Sequence, residues 1–337
     1  MAASGVLNFA AGETSKTFPV LIIDNAFVDG ARTVNLTLSI PSGASLSTQS
    51  SAVITINDND AALGPNPLDT PRSFVQSDYY DFFGRYPDQG GWDFWTNQIA
   101  SCGSDAQCID VHRINVSAAF FLSIEFQQTG YLVERMYKTA YGDATGNSTI
   151  GGAHQLAVPI VRFDEFLKDT QRIGRGVVVL QPGWEQQLET NKQVYAGEFV
   201  QTARFASAYP TPMTPTQFVQ TLFQNAGLAT TDADSAAAVA EFSGAANTAD
   251  MAARGRAVRR MAENATLQAN ETNRAFVLSE YFGYLRRNPD DAPEPTLDYS
   301  GYDFWLTKLT QFNGNYINAE MVKAFISSTE YRQRFGP

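Results

Sequence analysis

The sequence predicts an α+β multidomain chain, with a small antiparallel β-module at the N-terminus and a mainly α-helical repeat region after it. Three observations carry this. The first 60 residues alternate apolar and polar side chains with a period of two. After a Gly/Pro-rich linker the apolar spacing becomes helical. One helical pattern then occurs near both ends of the remaining chain.

In "RTVNLTLSI", Val34, Leu36, Leu38 and Ile40 fall on one face, and Thr33, Asn35, Thr37 and Ser39 on the other. "SAVITI" repeats the pattern with Ala52, Ile54 and Ile56, and "TFPVLII" reads as a further run. The pieces between them, "AAGETS", "DNAFVDGA" and "PSGASLSTQS", are turn-rich. The β-module therefore spans 1–60. Gly64, Pro65, Pro67 and Pro71 mark a linker over 61–72.

Beyond the linker, Val75, Tyr79, Phe82 and Phe83 line one helical face. "FVQSDYYDFFGRYPD" from Phe74 matches "FVLSEYFGYLRRNPD" from Phe276 at an offset of 202. "GWDFW" from Gly91 matches "GYDFW" from Gly301 at 210, so the second copy carries eight extra residues before this glycine. "AAFFLSIEF" from Ala118 matches "KAFISSTEY" from Lys323 at 205. A weaker echo, "EFVQTARFASAYP", lies in the middle, followed by Thr214 as a helix cap and Pro215 as the first helical residue. The divisions that follow are a first repeat (73–135), a connecting helical and loop segment (136–194), a degenerate middle repeat (195–270) and a last repeat (271–337). Within the repeats, Glu125 and Glu330 are equivalent, and each is expected to pair with an arginine, Arg85 or Arg287. Trp95 and Trp305 share the phase of Ile99 and Leu309 and read as core. Asp88 reads as a turn residue or Arg85 partner rather than a cap for the Trp95 helix.

These repeats resemble the DUF4214 family of mostly extracellular bacterial modules. The resemblance rests on Tyr79, Arg85, Pro87, Asp88, Gly91, Trp95, Ser123, Glu125 and Phe126. The second copy offers Tyr281, Arg287, Pro289, Asp290, Gly301, Trp305, Ser328, Glu330 and Tyr331, with Tyr in the last place. It implies a helical fold in a secreted or surface-attached bacterial context, and no established catalysis. The β-module resembles the second half of a Calx-β domain, through "GVLNFAAGETSKTFPVLIIDN", "VDGARTVNLTLSIPSGASL" and "SSAVITINDND". Calx-β is an immunoglobulin-like sandwich that binds Ca²⁺ in some members. The resemblance implies Asp24, Asp58 and Asp60 as carboxylate ligands for Ca²⁺. Arg32 stands where the family often has an acid. About 60 residues fall short of the roughly 100 of a full sandwich, so the module is either a fragment or is completed by another chain, including a copy of itself, through strand pairing.

Composition narrows the rest. The chain has 337 residues and a net charge of −11. Nucleic acid is not an expected partner, because phosphate binding needs clustered Lys and Arg. No apolar run is long enough to span a membrane. The two cysteines, Cys102 and Cys108, fit either a disulfide or free thiols in a helix–helix loop; the disulfide is the favoured reading and implies an oxidising compartment. A metal site is not expected there, because the sulfurs lack nearby His or Cys partners in sequence. A Cys108–His112 nucleophile pair would be removed by that disulfide. Neither histidine, His112 or His154, lies in a zincin motif, and no nucleophile elbow or P-loop occurs. Trp92 and Trp184 are the candidate ligand-facing aromatics. The expected function is non-catalytic interaction or scaffolding outside the cell, involving other protein chains. Polysaccharide binding or carbohydrate chemistry, and a Ca²⁺-responsive adhesion module, are the alternatives.

Overall fold

Strands β1 (Arg32–Thr37) and β2 (Ser51–Ile56) pair antiparallel, with Val34 opposite Ile54 and Leu36 opposite Ala52. Opposed residues share a face, so the alternation places Val34, Leu36, Ala52, Ile54 and Ile56 together. None of the residues in these two strands is buried. The computed structural model describes residues 7–18, 20, 22, 28, 30–39, 43–60, 65–230 and 233–336. Within "TFPVLII" the described residues Thr17, Phe18, Val20 and Ile22 do not form a strand, contrary to the alternation. The structure is 54% helix and, among the described residues, holds two two-stranded antiparallel sheets, an α+β composition. Among the described residues no helix is long and apolar enough to cross a membrane.

The helical region opens at Thr70, whose side chain accepts a hydrogen bond from the Ser73 N–H and caps α1 (Pro71–Asp78). A π-helical turn, Tyr79–Phe83, extends it and closes at left-handed Gly84. Then come α2 (Gln89–Ala100), α3 (Ala106–Phe121) and α4 (Ile124–Gln127). The last repeat has the same order: α12 (Ala265–Glu280), a π-helical turn Tyr281–Leu285, α13 (Ser300–Gln311), α14 (Met321–Ile326) and α15 (Thr329–Gln333). Along α2 and α13 the burial of equivalent residues agrees at every position from Gly91/Gly301 to Ala100/Thr310 except Trp92/Tyr302.

Between the repeats lie α5 (Gly130–Tyr141), β3 (Asp143–Ser148), β4 (His154–Pro159), α6 (Phe163–Gly174), α7 (Trp184–Phe199), α8 (Ala203–Ala208), α9 (Pro215–Ala226), α10 (Ala233–Ala240) and α11 (Met251–Ala262). Thr214 and Gln217 form a capping box on α9, with Pro215 at its first position. Residues 136–194 thus contain a hairpin where the sequence suggested helix and loop. "DATGNS" has little intrinsic strand preference. The hairpin is held from outside: the Tyr299 N–H donates to the Asn147 carbonyl, and Gly146 lies against the Tyr299 ring. One hydrophobic core runs from Leu68 to Phe335 through all these helices. The sequence divisions at 135 and 270 fall inside α5 and α12.

Candidate functional site

Each repeat is built around a tyrosine. Tyr79 packs edge-on against Phe120 at 4.8 Å, and Tyr281 against Phe325 at 5.2 Å. Its hydroxyl lies where a Cβ on Gly91, or on Gly301, would stand. This explains a glycine at the start of α2 and α13, despite its cost within a helix. The arginine that follows covers the tyrosine ring and clasps the glutamate of the closing helix. Arg85 donates to both carboxylate oxygens of Glu125 at 3.0 and 2.9 Å, and Arg287 to those of Glu330 at 2.6 and 3.2 Å. These are the ion pairs expected for the equivalent glutamates.

Asp88 departs from expectation. Its Oδ1 accepts the Gly91 N–H at 2.9 Å, so it does cap α2, and it also stands 3.6 Å from Arg85. In the second copy the inserted Glu294 stands beside Gly301 and 3.8 Å from Arg287, and among the described residues no side chain caps α13. Asp290, the residue aligned with Asp88, instead pairs with Arg162 at 2.8 Å. The insertion separates Asp290 from the start of α13, which is why aligning the Pro-Asp pairs misassigned the role of Asp88.

The two repeats meet at their π-helical turns through equivalent residues. Phe82 packs edge-on against Tyr284 at 5.1 Å. Phe82 also packs on Phe126, as Tyr284 packs on Tyr331. Asp78 and Glu280, again equivalent, are both fully buried at this seam. Burial pushes the Asp78 carboxyl well up, with Asp81 adding to it and Ser117 and Arg113 opposing. Burial likewise pushes Glu280 up, and Asp78 adds to it. The Asp78 oxygens take the Ser117 hydroxyl at 3.2 and 3.4 Å, whereas among the described residues neither Glu280 oxygen has a hydrogen-bond partner. Arg334 crosses the seam to Asp81 at 2.7 Å. Two carboxyls with raised affinity for protons are the raw material of acid–base chemistry; neither lines the groove along α11 nor the cleft beside Arg113 and Lys323.

A groove of about 650 Å³ lies elsewhere, between α7, α10 and α11. Small residues, Ala196, Gly197, Ala252 and Gly255, line it. Its arginines are engaged: Arg256 and Arg260 with Glu241 at 2.7 and 3.0 Å, Arg259 with Glu189 at 2.7 Å.

Of the residues singled out in sequence, Asp24 lies outside the described residues. Asp58 accepts the Gly30 N–H at 2.7 Å and the Asp60 N–H at 2.9 Å, which ties the end of β2 to the loop before β1. Trp92 is half-buried; its Nε1–H donates to the Arg72 carbonyl at 2.9 Å, and the Arg72 guanidinium lies 3.8 Å over its ring. Trp184 is the half-buried first residue of α7 and packs on the core. Cys102 and Cys108 form a disulfide. Contrary to the sequence expectation that the sulfurs lack partners, His112 joins them: the two sulfurs and a ring nitrogen lie within 4.8 Å of one another.

Two aromatics were missed. Phe94 and Phe304 occupy equivalent positions, are 55% and 43% exposed, and lean edge-on against Trp95 and Trp305 at 4.8 and 4.9 Å. The signal was "DFW" in both copies: an apolar residue kept at a position outside the core phase. Comparison with protein-family models, curated proteins and solved structures found no match.

Proposed function

We propose that the chain is a non-catalytic interaction or scaffolding module of a bacterial extracellular or cell-surface protein, and that it self-associates through its β1–β2 ribbon. The observation that carries this is the ribbon itself. Its apolar face is only half covered, none of its residues is buried, and its two strands contact chiefly each other. An isolated two-stranded ribbon is marginal in water, and among the described residues no further strand pairs with its outer edges. In this reading residues 1–60 are the second half of a Calx-β domain, completed by strands from another copy, and the helical region is a DUF4214 repeat array. The disulfide supports an oxidising compartment.

Sedimentation of the full chain over a range of concentrations tests it. The chain should associate, and Ile54→Lys, which puts a charge on the apolar face, should leave monomers with unchanged helical content. A chain that stays monomeric throughout would refute self-association.

A second reading, binding to a polysaccharide, is supported by Phe94 and Phe304, a duplicated exposed aromatic suited to a repeating ligand. Retardation in polysaccharide-containing native gels should be lost in a Phe94→Ser/Phe304→Ser chain; no retardation of the parent chain would dispose of this reading.

A further inference from the structure

The join between α2 and α3 holds three side chains with metal-binding chemistry. Cys102 sits in the turn after α2. Cys108 and His112 lie one turn apart on α3, where residues four apart share a face. Asp105 accepts the Gln107 and Cys108 N–H groups at 3.0 and 3.1 Å and fixes the start of that helix. The His112 ring has no hydrogen bond among the described residues, so it is free to turn toward the sulfurs.

We propose that Cys102, Cys108 and His112 form a redox-gated site for a cation of the Zn²⁺ type, closed by the disulfide and opened by a dithiol reductant. Size supports this. In a tetrahedral site with Zn–S near 2.3 Å and Zn–N near 2.0 Å, the sulfurs stand roughly 3.8 Å apart and each sulfur roughly 3.5 Å from the nitrogen. The three atoms already lie within 4.8 Å of one another, and the Cα atoms of the cysteines are 5.6 Å apart. Reaching those separations calls for shifts of about an ångström, within the range of rotation about the two cysteine χ1 bonds and of the partly exposed imidazole. All three residues are partly exposed, so a fourth position stays open to water or a ligand.

The steps balance. A dithiol gives two electrons and two protons to the Cys102–Cys108 bond, which breaks into two thiols while the dithiol closes into its own disulfide. The cation then displaces both thiol protons to solvent and takes two thiolates and a neutral imidazole. While the disulfide stands, neither sulfur is a thiolate, so the oxidised chain offers only a lone imidazole.

Cobalt(II) is the probe. The full chain is reduced with a phosphine, freed of it without air, and titrated with Co²⁺. The reduced chain should give thiolate-to-cobalt charge-transfer absorption saturating at one equivalent and bleached by Zn²⁺; the oxidised chain should give none. His112→Gln should weaken binding by more than the ~10- to 100-fold that loss of an outer-shell partner costs. As a second readout, Zn²⁺ should protect both reduced cysteines from alkylation, measured by mass. His112→Gln stays informative because it leaves the disulfide, and hence the oxidised fold, intact. Absence of the absorption in the reduced parent chain, or undiminished binding in His112→Gln, would overturn the proposal.

Discussion

Replacing Glu280 with Gln tests the seam most directly. The side chain is fully buried, its oxygens have no hydrogen-bond partner among the described residues, and burial first and Asp78 second raise its proton affinity. A carboxyl with a raised folded-state pKa binds more protons folded than unfolded. Its stability contribution is therefore greatest below the unfolded value of 4.5 and is lost as pH rises toward the folded value. A proton taken up on folding lowers stability by at most about 1.4 kcal/mol for each pH unit above the unfolded value, so the parent loses stability between pH 5 and pH 7. Gln does not titrate. It carries two N–H donors where the neutral acid carries one O–H, an extra burial cost of roughly 1–3 kcal/mol. The variant should thus be less stable than the parent at pH 5 and gain on it as pH rises to 7. The diagnostic quantity is the change in that difference between the two pH values, which the raised proton affinity of Glu280 makes favour the variant as pH rises. Urea unfolding at both pH values, followed by tryptophan fluorescence, measures it. A parent–variant difference that stays constant from pH 5 to pH 7 would show that Glu280 takes up no proton on folding.

Arg85→Met should destabilise the chain by about 3–5 kcal/mol, because it strands Glu125, whose side chain is 6% exposed. The double variant Arg85→Met/Glu125→Met should recover much of that loss in the same urea assay; no recovery would mean that the ion pair is not what Arg85 supplies. Gly283→Ala should cost about 1–3 kcal/mol, since its Cβ would stand 2.6 Å from Phe82 Cε1 across the seam. In a Phe82→Leu background the same alanine should cost less, measured by thermal melting, and an equal cost would place the strain elsewhere.

The repeat organisation was legible because a helix repeats its core contacts at fixed spacing. Comparison of the copies located the Arg85–Glu125 and Arg287–Glu330 pairs without coordinates. What stayed hidden depends on contacts between distant segments. The β3–β4 hairpin is stabilised by Tyr299, some 150 residues away, and its own residues have little strand preference. The meeting of Asp78 with Glu280 requires knowing that the repeats pack through equivalent faces. His112 was visible four residues after Cys108, but its closeness to Cys102 depends on how α2 turns into α3. Phe94 and Phe304 were overlooked for another reason: periodicity identifies core residues, and these two are conserved between the copies while lying off that phase.

The seam has the contacts of a two-fold dimer written into one polypeptide. In a true homodimer every substitution at such an interface is made twice, once on each side, so self-facing residues stay identical. Here each side changes alone. Asp78 faces Glu280, Phe82 faces Tyr284, and the place of Phe126 is held by Tyr331. The added hydroxyl of Tyr331 meets Ser77 Oγ at 2.9 Å, whereas Phe126, its counterpart, has no hydroxyl to offer Ser279. Joining the two halves in one chain has let a symmetric junction acquire directional chemistry, with one half free to hold the architecture while the other departs from it.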